Sequence, residues 1–173
     1  MNKPTSPTYT ALMDVALRLR LEDFFIDYAH AVDDGHVAKW PSFFTREGRY
    51  QITSRENHQA GWPIGIMLCE GRAMMEDRML ALATANIFEP HTYCHQLSRA
   101  RYWRRGDGMI EARSNFSVIR TMQDGRMEVF AAGKYLDEIV VDEGGGANDG
   151  PKFLSRTVVL DSKRVDILLV YPL

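Results

Sequence analysis

Two histidines and a cysteine lie within five positions of the run PHTYCHQL, residues 90–97. On a helix, His91 and His95 would share one face and could bind one metal ion. A proline precedes the run, a threonine and a tyrosine lie within it, and alternation follows, which favours a strand. The two histidines would then lie about 13 Å apart, too far for one ion. We expect a polar or interface-facing strand edge, with His91, Tyr93 and His95 on one face and Cys94 in the core.

The residues present do not fit a Rieske cluster. Such a cluster needs two cysteines and two histidines in the right pairs, and Cys69 in LCEG has no histidine near it. A mononuclear iron site needs two histidines and one carboxylate. Its candidate ligands are His58, His91, His95 and Asp77, and nothing in their spacing favours a site. We therefore predict no catalytic, cofactor-binding or metal-binding residue in this chain.

Acid–base catalysis in an apolar pocket is a second kind of chemistry that stays open. Burial shifts the pKa values of tyrosine, aspartate and histidine side chains, and a small cone-shaped domain could bring such groups together. The candidates are Asp33, Tyr50, His91 and His95. In the other interpretation, which we favour, Tyr50 and Trp40 are core aromatics and Asp33 caps the end of a helix.

A long helix is the first element that must position these residues. Apolar side chains recur at steps of four and three from Leu17 to Ala31, and Asp33-Asp34-Gly35 supplies a stop. Shorter elements follow: a helix at HVAKWPSFF, a strand at RYQIT (49–53), a loop over 54–63, a strand over 64–69 and a helix over Arg72–Ile87.

Long strands dominate the rest of the chain. IEARSNFSV (110–118) alternates between apolar and polar residues, and RRGDGM and QDGRM are glycine-containing hairpin turns. Further strands are predicted over 127–141, 152–161 and 165–173. Helices followed by long antiparallel strands predict an α+β domain with the helices on one side of the sheet. Strands this long should bend, at Gly133 or at a bulge, and wrap into a cone that can enclose a cavity.

Composition indicates one soluble domain over residues 1–173, with residues 1–10 as a flexible lead. A net charge of −2 gives no general attraction to nucleic acid or to membrane phosphates. No stretch approaches the roughly 18 apolar residues of a membrane span, and MNKPTSPTYT lacks the apolar region of a signal peptide. Two cysteines suit a reducing cytosol, so we expect a cytoplasmic protein.

Three surface features point to partners rather than to chemistry. Arg78, beside Asp77 in a helix, would reach a carboxylate elsewhere in the fold or on a partner, or lie on a solvated face. The basic run RARYWRR (99–105) fits a partner contact or solvation better than nucleic acid. VDILLVYPL (165–173) is so apolar that it must be a central strand or lie in an interface, which favours assembly.

Several ordered blocks resemble one known family. They are DDGHVAKWPSFFTREGRYQIT, EDRMLALATANIFEPHTYCH, EVFAAGKYLDEI and SRTVVLDSKRVDILLVYPL, and together they resemble the small (β) subunits of aromatic-ring-hydroxylating dioxygenases. The small subunits of terephthalate dioxygenase and salicylate hydroxylase look most similar. The resemblance runs from about Leu21 to Leu173.

That resemblance implies an NTF2-like (cystatin-like) cone and a structural role in a two-component oxygenase, commonly α3β3 with a β trimer. The large (α) subunit would carry the Rieske 2Fe-2S cluster and the mononuclear Fe(II), and a reductase would deliver electrons from NAD(P)H. This chain would hold no cofactor. The alternative is a stand-alone dehydratase or isomerase of the same fold that uses a Tyr/Asp/His pocket.

Overall fold

The structure is a computed structural model of the chain, and it describes residues 8–84, 88–142, 150–163 and 169–173. One short strand comes first, helices alternate with two strands as far as residue 84, and strands follow from residue 91. The elements are β1 (Tyr9–Ala11), α1 (Val15–Asp33), a 3-10 helix (Val37–Phe43), β2 (Phe44–Ser54), α2 (Arg55–Gln59), β3 (Met67–Glu70), α3 (Arg72–Thr84), β4 (His91–Leu97), β5 (Arg101–Arg105), β6 (Ile110–Met122), β7 (Met127–Asp142) and β8 (Gly150–Leu160).

Helix α1 ends where its sequence signals predict, and it begins at Val15, just before the predicted apolar stripe. The Asp14 carboxylate accepts a hydrogen bond from the main-chain N–H of Leu17 at 3.0 Å and caps the first turn. At the other end Gly35 adopts a φ of +75°, and its N–H donates to the carbonyl of Val32. The predicted apolar stripe, including Leu21 and Tyr28, is buried against the sheet. The helix prediction is therefore confirmed.

The short elements agree less well with the sequence. The 3-10 helix was predicted as a helix, and it buries Trp40. The predicted loop over 54–63 was wrong in part, because α2 forms one turn there, capped by the Ser54 hydroxyl. Helix α3 ends at Thr84, and the rest of its predicted range, residues 85–87, lies outside the described residues. Tyr9 and Thr10 pair with β5, so the predicted flexible lead does not extend to residue 10.

The strands form an 8-stranded sheet, in which seven follow the order β1-β5-β6-β7-β8-β2-β3 and the eighth, β4, pairs with β6. Strand β6 is long enough to pair with β7 along one edge and with both β5 and β4 along the other. The glycine turns predicted before and after β6 are present, with φ of +91° at Gly108 and +85° at Gly125. The expected α+β fold is confirmed, but its strands are not all antiparallel, because β2 pairs with β8 in parallel.

Irregular pairing bends the sheet around α1. The register shifts between Val118 and Ile119 on β6, where β7 carries the extra residue Phe130. A second shift, between Glu138 and Ile139, lies further along β7. Such bulges bend the strand that contains them, so the predicted curvature has its physical cause here. Gly133 lets β7 and β8 approach closely, because a Cβ atom at that position would lie 2.1 Å from the carbonyl oxygen of Val159.

The concave side of the sheet and α1 together enclose the core. Large aromatic side chains fill it, and Phe153 lies at its centre in contact with the rings of Phe24, Phe25, Tyr28 and Phe44. Within the part of the chain that the structure covers, no helix is long and apolar enough to cross a membrane.

Candidate functional site

Strand β4 carries the histidine run, and it pairs with β6 from His91 to Leu97. The prediction of a strand is therefore confirmed. Tyr93 and His95 point into the cone and are buried, whereas Cys94 points outward and is exposed. The placement of Cys94 in the core was wrong. The polar face of the strand can face inward because Asp33 supplies a hydrogen-bonding partner for His95.

Asp33 and His95 form a hydrogen-bonded pair at the junction of α1 and β4. The Nδ1–H of His95 donates to Oδ1 of Asp33 at 2.5 Å, and the main-chain N–H of His95 donates to Oδ2 at 2.8 Å. The His95 side chain is 0% exposed. A carboxylate that accepts from Nδ1–H fixes the orientation of the imidazole ring, whose other nitrogen is Nε2. No other described residue is hydrogen-bonded to that Nε2 atom.

His91 lies apart from this pair, in an aromatic cluster. The Tyr93 ring separates the two histidines, with centroids 5.2 Å from His91 and 6.2 Å from His95. His91 also contacts Tyr171, and its Nδ1 lies 2.8 Å from the carbonyl oxygen of Glu89. This environment holds the imidazole by ring contacts rather than by ligands to a metal.

No three metal-ligating side chains come together among the described residues. His58 lies in α2 and Asp77 in α3, so the mononuclear iron ligands considered above are spread over separate elements. Cys69 is buried in β3, where burial raises the pKa of its thiol, whereas Cys94 lies on the outer face of β4. The donor set of the described chain therefore does not fit a Rieske cluster or a mononuclear iron site.

Tyr50 is not part of an acid–base pocket, because its hydroxyl is hydrogen-bonded to the main chain of Leu173. It accepts from the Leu173 N–H at 2.8 Å and donates to the Leu173 carbonyl at 3.0 Å. The Tyr28 hydroxyl donates to the same oxygen at 3.0 Å and accepts from Nε1 of Trp40. Burial raises the pKa of Tyr50 well above its ordinary value. The interpretation of Tyr50 and Trp40 as core aromatics agrees with these contacts. The expectation that Asp33 caps the helix was wrong, because the cap residue is Asp34 and the Asp33 carboxylate accepts from His95.

The end of the chain differs from the sequence prediction. Residues 169–173 are not in a strand, and residues 164–168 of the predicted strand lie outside the described residues. Leu173 is 0% exposed and packs in the core of its own chain. The apolar character of residues 169–173 is therefore explained by packing within the chain, and it gives no argument for assembly.

A buried ion pair in the cone was missed by the sequence analysis. Nε and Nη2 of Arg156 donate to the two carboxylate oxygens of Asp137 at 2.8 and 3.0 Å. Burial lowers the pKa of Arg156, but the Asp137 carboxylate more than offsets this and keeps the pKa above its ordinary value. The guanidinium also lies over the ring of Phe153 at 4.0 Å and that of Tyr28 at 4.2 Å. Alternation along β7 was the available signal, because it places Asp137 on the same face as buried Tyr135.

Among the described residues, clefts with volumes of about 360, 200 and 320 Å³ open on the outside of the molecule. The cleft of about 360 Å³ lies between α1, the 3-10 helix and the start of β8. The other two lie where α1 meets β5 and the residues before it. None of the three is lined by Asp33, Tyr50, His91 or His95. The four acid–base candidates thus do not share any of these clefts.

The charged residues considered for partner contacts lie on the surface. Arg78 is exposed on α3, and no described residue forms an ion pair with it. In the basic run, Arg99 pairs with Glu22 at 3.1 Å. Arg105 binds Asp107, Glu111 and Glu138. The run is therefore partly neutralised within the chain.

Comparison with known proteins gives a consistent family. A family model described as "Ring hydroxylating beta subunit" matches residues 28–166. The small subunit of anthranilate 1,2-dioxygenase from Burkholderia cepacia is 36% identical over 146 residues, 84% of this chain and 88% of that protein. Subunit beta 1 of the terminal oxygenase component of terephthalate 1,2-dioxygenase from Comamonas sp. is 34% identical over 155 residues, 90% of this chain and 97% of that protein.

A solved structure agrees with both relatives. It is described as the β subunit of an aromatic-ring-hydroxylating dioxygenase from Novosphingobium aromaticivorans. It superposes with a TM-score of 0.80 at 31% identity, covering 91% of this chain and 97% of that one. These matches support the small-subunit interpretation and not a stand-alone dehydratase or isomerase. The chain belongs to the family of β subunits of aromatic-ring-hydroxylating dioxygenases.

Proposed function

We propose that this chain is the structural small subunit of a two-component oxygenase that hydroxylates an aromatic acid. It acts as a single NTF2-like domain in the cytoplasm and supports a large (α) subunit in an α3β3 assembly around a β trimer. The large subunit carries the Rieske 2Fe-2S cluster and the mononuclear Fe(II), and a reductase supplies electrons from NAD(P)H. No residue of this chain is catalytic or binds metal.

One observation, in addition to family membership, supports the structural role. Side chains of this chain fill the interior of the cone. The hydroxyls of Tyr28 and Tyr50 both donate hydrogen bonds to the main-chain oxygen of Leu173. The Arg156–Asp137 pair occupies the interior between α1 and the sheet. An acid–base enzyme needs a pocket in which such groups face substrate. Here they bind one another, which suits a rigid scaffold.

The names of the relatives support an aromatic acid as the substrate of the complex. Anthranilate and terephthalate are both aromatic carboxylates. The substrate pocket belongs to the large subunit in this proposal. The position that is hydroxylated is therefore determined by that subunit and not by this chain.

The proposal is tested by expressing this chain alone and together with its large subunit. We expect native mass spectrometry to give a stable heteromer of three copies of each chain, and metal analysis to find iron only where the large subunit is present. Oxygenase activity should require the large subunit. Iron bound stoichiometrically to the isolated small chain, or turnover of an aromatic acid by it, would contradict the proposal.

A matched pair of variants separates a scaffold from a catalyst. In the assembled complex, His91→Phe should leave the rate constant of ring hydroxylation unchanged. His91 is held by ring contacts that a phenyl group can retain. The exposed substitution Cys94→Ser on the same strand serves as the control. A large fall in the rate constant for His91→Phe alone, with assembly intact, would indicate a catalytic role.

A further inference from the structure

Residues 169–173, with the sequence LVYPL, pack against the core of the cone without belonging to its sheet. They form neither a strand nor a helix, and among the described residues no hydrogen bond between main-chain atoms joins them to another element. The strands of a sheet are held to one another by such bonds. We call these five residues the docked segment, because side chains rather than strand pairing hold them.

Two tyrosines from different elements bind the main chain of Leu173. The hydroxyl of Tyr50, on β2, accepts the Leu173 N–H at 2.8 Å and donates to the Leu173 main-chain oxygen at 3.0 Å. The hydroxyl of Tyr28, on α1, donates to the same oxygen at 3.0 Å. Nε1 of Trp40 donates to the Tyr28 hydroxyl, which leaves the proton of that hydroxyl for Leu173. The main-chain donor and acceptor of Leu173 are therefore both bound by side chains of the cone.

The side chains of the docked segment are anchored in two separate places. Leu173 is fully buried in the core. The ring of Tyr171 contacts the rings at the start of β4, with centroids 5.3 Å from His91 and 5.6 Å from Tyr93. Pro172 is buried between the two anchors, and a proline has no N–H that would need a partner there.

These contacts are of the kind that hold a bound peptide. In peptide recognition, hydrogen bonds to the main chain give affinity, and pockets for alternate side chains give specificity. The docked segment has both, because Tyr171 and Leu173 lie two positions apart and contact different groups. The fixed φ angle of Pro172 also reduces the conformational freedom that is lost on docking.

We propose that the interior of the cone is a peptide-binding site and that residues 169–173 of the same chain are its reversibly docked occupant. The site takes a segment with an aromatic residue, a proline and an aliphatic residue in succession, as in Tyr171-Pro172-Leu173. The segment leaves and returns while the sheet stays folded, because no main-chain hydrogen bond among the described residues ties it to the sheet. This inference goes beyond the proposed function and does not depend on it.

Amide hydrogen exchange of the full-length chain tests the reversible docking. The Leu173 N–H is buried and hydrogen-bonded to Tyr50, so it exchanges only when the segment leaves the site. We expect its protection factor to be above unity, at least about tenfold below that of the Tyr135 amide in β7, and insensitive to low concentrations of urea. Equal protection and equal urea dependence at the two amides would mean that the segment opens only with the whole fold, which overturns the proposal.

A pair of conservative variants tests the hydrogen bonds that hold the segment. Tyr28→Phe removes one donor to the Leu173 oxygen and leaves the bond from the Leu173 N–H to Tyr50 in place. Relative to the Tyr135 amide, protection of the Leu173 amide should fall about fivefold. The matched control removes the hydroxyl of Tyr135, which has no hydrogen-bond partner among the described residues, and should leave the ratio unchanged. The same ratio in both variants would contradict the site.

Rescue by a free peptide tests recognition directly. Leu173→Lys places a charge at a fully buried position, so the segment should leave the cone and the melting temperature should fall. The peptide acetyl-LVYPL should then raise the melting temperature with increasing concentration, whereas acetyl-LVYPK should not. Ile64→Lys, at an exposed apolar position, is the charge control and should respond to neither peptide.

Each outcome decides the proposal. Rescue of Leu173→Lys by acetyl-LVYPL alone, together with early exchange of the Leu173 amide, supports it. No rescue, or equal rescue by both peptides, overturns it, because the interior then does not recognise the segment. If Leu173→Lys does not fold, both peptides are tested on Leu173→Ala, and the exchange measurement on the wild-type chain decides in either case. None of these measurements involves the large subunit, so their failure leaves the proposed function standing.

Discussion

The carboxylate of Asp33 joins the end of helix α1 to strand β4 by accepting two hydrogen bonds from His95, one from Nδ1 and one from the main-chain N–H. One residue thereby fixes both the position of the strand and the orientation of an inward-facing imidazole. Because the His95 side chain is fully buried, water cannot easily replace the carboxylate. The pair therefore links helix α1 to strand β4 and has a structural role within the cone.

Asp33→Ala tests the contribution of this pair to stability. The change leaves two buried donors of His95 without an acceptor, so we expect the free energy of unfolding to fall by about 2–3 kcal/mol. Urea denaturation followed by circular dichroism measures the change. Asp27→Ala, at an exposed position of the same helix, should change the free energy by less than about 0.5 kcal/mol. Equal effects of the two variants would show that the hydrogen bonds to His95 contribute nothing.

The buried pair of Arg156 and Asp137 predicts a strong asymmetry between single and double variants. Asp137→Leu leaves a buried guanidinium without its counter-charge and should lower the free energy of unfolding by about 3–5 kcal/mol. Replacing both residues, Arg156→Met with Asp137→Leu, should cost less than the sum of the two single changes, because no charge is then left unpaired. Additive effects in this double-mutant cycle would contradict the coupling.

Buried tyrosines predict a loss of stability at alkaline pH. Burial raises the pKa of Tyr28, Tyr50 and Tyr135 above the ordinary value near 10 that they have in the unfolded chain. Their contribution is complete below about pH 10, and it is lost above that pH because the unfolded state releases protons that the folded state retains. For each such tyrosine, the free energy of unfolding should fall by at most about 1.4 kcal/mol per pH unit. Denaturation curves between pH 8 and pH 11 measure this slope.

Tyr135→Phe is the control for that experiment. The Tyr135 hydroxyl has no hydrogen-bond partner among the residues that the structure describes, and its ring stacks on Phe116 at 4.3 Å. A phenylalanine should therefore keep the packing and remove one ionisable group. The variant should lose stability less steeply above pH 10. An unchanged slope would show that Tyr135 is not protected from ionisation by the fold.

The contact between Gly133 and Val159 predicts that only glycine fits at position 133. A Cβ atom there would lie 2.1 Å from a backbone oxygen that cannot move without separating β7 from β8. Gly133→Ala should lower the free energy of unfolding by about 3 kcal/mol or more, as measured by thermal denaturation. Gly106→Ala is the matched control, because its nearest contact is the carbonyl oxygen of Thr8 at 3.9 Å. A tolerated alanine at position 133 would mean that the strands separate easily.

Local patterns predicted the elements of this fold better than the contacts between them. The spacing of apolar residues in α1 and the alternation in β6 report on one element at a time, and both predictions are confirmed. The sequence did not show which face of β4 points inward. A polar inward face is stable only because Asp33, 62 positions earlier in the sequence, accepts a hydrogen bond from His95. The Arg156–Asp137 pair was missed for a similar reason, since each charge is tolerated in the core only next to the other. Patterns among neighbouring residues do not identify contacts between residues that are distant in the sequence.

The parallel pairing of β2 with β8 has a consequence for how the protein is made. Residues 49–54 pair with residues 155–160, so this pairing of the sheet joins segments about a hundred positions apart. Closing such a long loop is slow, and no early part of the chain can complete the sheet alone. A ribosome must therefore release nearly the whole polypeptide before the cone can close, and any partner that recognises the closed cone meets a finished chain.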